Sequence, residues 1–138
     1  MIGVTLCVNG QLTAKYYSYM EFSSEELINL DVVNGLKELS GDGDDSFFKE
    51  IIGLYEEQAQ ELIDEIKFHA EEGNAEELGI TAHTLKGASL NIGARLFADV
   101  CKNIELAGKN NEINGIDSEI KKLNDLNEIT LIELKKLF

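Results

Sequence analysis

His83, Lys86 and Glu105 are the residues whose types and spacing point to chemistry. A neutral imidazole is a nucleophile through one ring nitrogen. The other nitrogen then carries the proton and needs an acceptor that fixes the tautomer and the ring angle. His83 stands in the run Ala82-His83-Thr84-Leu85-Lys86-Gly87-Ala88-Ser89-Leu90. Leu78, Ala82, Leu85 and Ser89 recur at helical apolar spacing, so His83 lies beside the buried stripe. Gly79, Lys86, Gly87 and Leu90 share its face. Each glycine costs a helix about 1 kcal/mol relative to alanine. Gly79 and Gly87 flank His83 one turn to either side, and their common effect is to open the imidazole to approach. Lys86 puts an ammonium beside the ring, where it would attract a phosphoryl group and spread its charge. Glu105, further along the chain and in line with Lys102 and Lys109, is the candidate acceptor for the second ring nitrogen. The bland alternative is a surface ion pair with Lys102 or Lys109, which contributes little.

These residues carry a family resemblance. His83-Thr84-Leu85-Lys86-Gly87-Ala88-Ser89, then Ile92-Gly93-Ala94, then Cys101-Lys102-Asn103-Ile104-Glu105 resembles the signature of histidine-containing phosphotransfer (HPt) domains. The resemblance implies that His83 accepts the phosphoryl group, that Lys86 assists it and that Gly87 clears space for a partner. It implies that Ser89 and Gly93 support packing and helix ends, and that Glu105 holds the ring. The implied partners are response-regulator receiver domains and a hybrid sensor histidine kinase. No cofactor of its own is implied, and Mg²⁺ is expected on the receiver. Gly79, Leu90, Arg95 and Lys102 are the candidate docking residues. The module would be a carrier without independent turnover, and a monomer.

The elements that must position these residues are helices. The chain of 138 residues has no proline, and apolar periodicity dominates from about residue 25. A short first helix is expected over 24–39 with a break near Asp31, capped by Ser23 or Ser24. Ser40-Gly41-Asp42-Gly43 interrupts the chain. A second helix is expected over 45–72 with the stripe Phe48, Ile51, Ile52, Tyr55, Ala59, Leu62, Ile63 and Ile66. A third follows over 75–91, a fourth over 93–108 and a last over 116–137. Long amphipathic helices with short connections imply an all-α, antiparallel up-down-up-down four-helix bundle with a short extra N-terminal helix. The bundle would occupy 23–138. Residues 1–22 form an extension in which alternation around Asn9-Gly10 suggests a small hairpin or, nearly as well, no fixed structure.

Composition narrows the function classes. Net charge is −14, which argues against nucleic acid and anionic membranes as partners. Residues 78–109 hold Lys86, Arg95, Lys102 and Lys109 against Asp99 and Glu105, a basic island in an acidic chain. No membrane span or secretory leader is expected, and two separated cysteines fit a reduced, cytoplasmic setting. Cys101 reads as a small buried hydrophobe and His69 as structural. The stretch Asp42-Gly43-Asp44-Asp45-Ser46 fails as a calcium loop, because Phe47 stands where glycine is needed and Gly53 where a bidentate glutamate is needed. No nucleotide-phosphate loop occurs. Two other classes compete with the carrier. One is a helical interaction module in which His83 and Glu105 make only a structural hydrogen bond. The other is an enzyme with His83 as general base, which lacks a second acid-base group.

Overall fold

The computed structural model describes residues 7–8, 11–12, 23–39, 41 and 45–138. Near the N-terminus, β1 (Cys7–Val8) pairs antiparallel with β2 (Gln11–Leu12), with Cys7 opposite Leu12. The pairing brackets Asn9-Gly10. The turn itself and the rest of the extension expected over 1–22 lie outside the described residues.

Among the described residues six helices follow: α1 (Ser24–Leu27), α2 (Leu30–Glu38), α3 (Ser46–Glu72), α4 (Ala75–Asn91), α5 (Arg95–Lys109) and α6 (Asp117–Lys135). Each of α3 to α6 packs against its neighbours in a closed ring, α3 on α4, α4 on α5, α5 on α6 and α6 back on α3. Short turns join them, so the four form the antiparallel bundle. Its core is the stripe Phe48, Ile52, Tyr55, Ala59, Ile63 and Ile66 of α3, set against Leu78, Ala82 and Leu85 of α4, Phe97, Cys101 and Ile104 of α5, and Leu123, Leu126 and Ile129 of α6. Every third or fourth residue is apolar, which places them on one side of each helix.

Local chemistry sets the boundaries. Gly73 closes α3 in the left-handed conformation, φ +72°, and the Asn74 N–H donates to His69 O at 2.9 Å. That is the glycine-terminated helix end, where a Cβ would be penalised. The first expected helix is two helices. Ser23 Oγ accepts the Glu26 N–H at 3.2 Å at the start of α1. Asn29 caps α2, its Oδ1 accepting the Asp31 N–H at 3.1 Å, so the break falls just before Asp31.

The α4–α5 turn departs slightly from expectation. α5 starts at Arg95 rather than at residue 93. Gly93 has φ +84° and so cannot belong to a right-handed helix. It also ties the N-terminal helices to the bundle. The Asn29 N–H donates to Gly93 O at 2.8 Å. A Cβ on Gly93 would come within 2.8 Å of Asn29 O. Positive φ and this contact both demand glycine.

Gly93→Ala should therefore destabilise the protein by at least about 2 kcal/mol, combining left-handed strain with overpacking. Gly35→Ala, at a helical position with open space around it, should stabilise by roughly 0.5–1 kcal/mol. Urea unfolding of the two variants checks both signs. Equal midpoints would refute the assigned role of Gly93.

Candidate functional site

The site lies where α4 crosses α5. α4 buries Leu78, Gly79, Thr81, Ala82, Leu85 and Ser89. His83 follows buried Ala82 and therefore leaves the packed face; its side chain is 67 % exposed. α5 buries Phe97, Cys101, Ile104 and, unusually for a carboxylate, Glu105. Ile104 and Cys101 anchor the stripe that carries Glu105 toward α4.

Glu105 is the hub. Its Oε2 lies 2.6 Å from His83 Nδ1, and its Oε1 accepts from Lys86 Nζ at 2.6 Å. Lys109 Nζ stands 3.4 Å from Oε2. The Glu105 side chain is only 4 % exposed. An unpaired carboxylate so buried would carry a desolvation penalty of several kcal/mol. Here the Lys86 hydrogen bond, opposed by burial and helped by His83 and Lys109, holds the carboxyl down to about 2. An ionised carboxylate has no proton to give. His83 Nδ1–H must therefore be the donor, and in the neutral ring Nε2 keeps its lone pair. Nε2 has no hydrogen-bond partner among the described residues.

Two buried groups stiffen the scaffold. Ser89 Oγ donates to Leu85 O at 2.7 Å, which leaves the Tyr55 hydroxyl to donate to Ser89 Oγ at 2.9 Å. This links α3 to α4 one to two turns beyond His83. Cys101 is a free thiol, fully buried, and burial pushes it up to about 12. It stays neutral and adds no negative charge beneath Glu105.

The expected site residues divide into groups. His83, Lys86 and Glu105 come together as one hydrogen-bonded cluster. The Lys86 ammonium, expected beside a phosphoryl group, is engaged by Glu105. Gly87 is exposed, with no atom beyond its own stretch of helix backbone within 4 Å of where its Cβ would stand. Leu90 is half exposed, and Arg95 and Lys102 point outward without an ion-pair partner among the described residues. Of the two lysines considered for Glu105, Lys109 makes the contact.

Gly79 requires a correction. It was expected on the docking face, but it is buried. A Cβ there would lie 3.4 Å from Glu105 O and 3.5 Å from Gly108 Cα. Opposite it, a Cβ on Gly108 would come within 2.7 Å of both Ala75 O and Gly79 Cα. The two glycines let the backbones of α4 and α5 meet. Gly79 thus serves helix contact before it serves access to the ring. Sequence reasoning missed Gly108 and the buried Tyr55–Ser89 bond. A glycine late in a helix looks like an end signal, and a serine inside an apolar stripe was the available hint of a buried partner.

Beside the ring lies an open groove of about 660 Å³ between α4 and α5, lined by Gly79, Ile80, His83, Glu105, Gly108 and Lys109 among others. His69 sits in the last turn of α3, edge-on to Phe68, outside this cluster. Among the described residues no group of acidic, histidine or cysteine side chains could hold a metal ion. The arrangement offers a nucleophilic nitrogen to solvent, braced from behind by an anion.

Comparison with known proteins follows the same line. The family model described as Hpt domain matches residues 50–132, more than half of the chain. The multistep phosphorelay regulator 1 of Schizosaccharomyces pombe is 29 % identical over 92 residues, covering 67 % of this chain and 31 % of the relative. The chain thus spans about a third of that relative's length. The structure of histidine-containing phosphotransfer protein B from Pseudomonas aeruginosa matches with a TM-score of 0.74 at 25 % identity, over 82 % of this chain and 95 % of that one. A histidine-containing phosphotransfer protein from Medicago truncatula has the same fold, with a TM-score of 0.73 at 21 % identity over 83 % of this chain and 78 % of that one.

The lowered Glu105 titration has a pH consequence. Its folded value, about 2, lies below the ordinary 4.5. The stabilisation it brings is complete above the ordinary value and is lost as pH falls toward 2. Glu105→Gln should be less stable than wild type by roughly 2–3 kcal/mol at neutral pH, with the gap closing between about pH 4.5 and 2. Urea titrations across that range measure it, and a pH-independent gap would contradict the ionised hub.

Proposed function

This chain belongs to the Hpt domain family, a family of phosphoryl carriers, and from that membership we propose that His83 accepts a phosphoryl group at Nε2 from the aspartyl phosphate of a receiver domain and passes it to another receiver. One observation carries the reading. The exposed imidazole has Nδ1 committed to a buried anion and Nε2 unpartnered among the described residues.

The transfer follows from that geometry. The Nε2 lone pair attacks phosphorus in line, the N–P bond forms, and the P–O bond to the partner's aspartate breaks. The aspartate leaves as a carboxylate. The ring keeps its Nδ1 proton, so it becomes positively charged as the phosphoryl dianion arrives. Glu105 faces that developing charge across the Nδ1–H···Oε2 bond. A fixed anion placed where positive charge appears lowers the barrier without reorganising at the moment of reaction. In the reverse direction the same positive ring is a good leaving group toward a second receiver.

Other parts of the reading draw on the same surroundings. Gly87 leaves open space one turn beyond the ring, where a receiver's loops would approach. Leu90, Arg95 and Lys102 present apolar and basic contacts suited to an acidic partner surface. Mg²⁺ belongs to the receiver, whose carboxylates would hold it. The carrier has no turnover of its own, because the phosphoryl donor and acceptor are both supplied by partners. These partners are receiver domains, including that of a hybrid sensor histidine kinase. A monomer suffices, since every group of the site comes from one chain. We place it in the cytoplasm, where such kinases expose their receivers. Among the described residues, no helix is long and apolar enough to cross a membrane.

Incubation with a phosphorylated receiver domain should label the protein with an acid-labile, alkali-stable phosphate, and His83→Gln should abolish the label. Retained labelling in that variant sinks the assignment, and a purely structural His83–Glu105 pair predicts no labelling at all. Gly87→Gln should leave helix stability unchanged or higher, since glycine is the poorer helix former, yet slow transfer at least about tenfold by blocking approach. Stopped-time transfer assays read the second effect, and an undiminished rate would remove the clearance role.

A further inference from the structure

Two lysines share one carboxylate, and they are not equivalent. Lys86 Nζ is 2.6 Å from Glu105 Oε1, and its side chain is 24 % exposed. Lys109 Nζ is 3.4 Å from Oε2, and its side chain is 66 % exposed. One ammonium neutralises the carboxylate, so the other is surplus. The tightly held, shielded one is Lys86. The loosely held one is Lys109, and it stands on the same oxygen to which the ring donates.

Position separates them further. Lys109 lines the groove beside His83, and Lys86 does not. The glycine contact explains why. Gly108 rests on Gly79, one turn before His83, so the residue after Gly108 emerges next to the ring's own turn.

Charge makes the same distinction. With a neutral ring, Glu105 and two ammoniums leave one net positive charge. Phosphorylation adds a dianion and a positive ring, and the cluster becomes neutral. A cation free to move toward the phosphoryl oxygens completes that balance.

Resting on the carrier reading above, we propose that Lys109 is the cation that leaves Glu105 Oε2 and binds the phosphoryl group on His83 Nε2, while Lys86 remains on Oε1. Lys109 is then a catalytic residue, and Lys86 a positioning residue that keeps Glu105 ionised and aimed at the ring. The groups facing Lys109 are Glu105 on its own helix and His83 and Glu76 on α4. Glu76 lines the same groove but makes no ion pair with Lys109 among the described residues.

The test needs no receiver. Full-length protein is phosphorylated with phosphoramidate, and the ³¹P resonance that His83→Gln removes is followed against pH. A bound ammonium favours the dianionic phosphoryl group, so Lys109→Ala should raise the phosphoryl titration midpoint by about half a unit or more, and Lys109→Arg should restore it. Lys86→Ala should raise that midpoint less than Lys109→Ala does, and should raise the Glu105 titration seen in acid unfolding. With a phosphorylated receiver as donor, Lys109→Ala should slow transfer about tenfold. An unshifted midpoint in Lys109→Ala overturns the proposal, as does an equal or larger shift in Lys86→Ala. Absence of any His83-dependent resonance also overturns it, since no phosphoryl group then settles at Nε2. Failure of every receiver to label the protein, with the phosphoramidate results as expected, overturns the relay reading and supports Lys109 as the phosphoryl ligand.

Discussion

A carboxylate buried between two helices is the constraint on which this structure turns. Glu105 is nearly sealed from solvent yet ionised, and it is tolerated because charged and polar donors converge on its two oxygens. Removing all of them would leave buried negative charge without compensation, the costly outcome for such pairs. The same carboxylate dictates the tautomer of His83, since it can only accept. A single buried anion therefore determines which imidazole nitrogen faces outward with a lone pair. Stability and reactivity are read from one set of hydrogen bonds.

That anion can reach the ring because α4 and α5 come unusually close. Gly79 and Gly108 remove the side chains that would hold the backbones apart. The approach resembles small-residue packing in general, where dispersion between closely set backbones replaces interdigitated side chains. Its consequence for the site is geometric. Glu105, one turn before Gly108, is carried under His83, and Lys109, one residue after it, is carried alongside. Further along α4, the Tyr55–Ser89 bond ties the helix to α3 and limits its freedom to roll. The exposed histidine thus stands on a braced surface, a better platform for repeated attack than a flexible loop.

The bundle as a whole is acidic, while the stretch from Leu78 to Lys109 is basic on balance. On the carrier reading there is a reason for such an island. The protein must welcome a dianion without holding it so firmly that the next transfer fails. A partly neutralised site, with one strong ion pair and one weak one, meets both demands. Arg95 and Lys102 extend the island outward across exposed surface.

Much of this was legible from residue order. Helical periodicity identified α3 to α6 and nearly all of their boundaries, because apolar spacing and glycine or asparagine punctuation are local signals. The cluster His83, Lys86, Gly87 and Glu105 was legible as well, from spacing and from the resemblance those residues carry. What one dimension could not contain was the distance between turns of different helices. Gly79 looked like clearance for a partner, and became the seat of Gly108 once α5 lay across it. Lys86 looked free to meet a phosphoryl group, but the fold delivers Glu105 to it first. Lys109 looked like a surface lysine, and packing sets it beside the ring. Composition and pattern thus determined which helices form and which side chain is the candidate nucleophile. Only the tertiary crossing decided which cation is bound and which is spare, because that depends on how closely two backbones can meet.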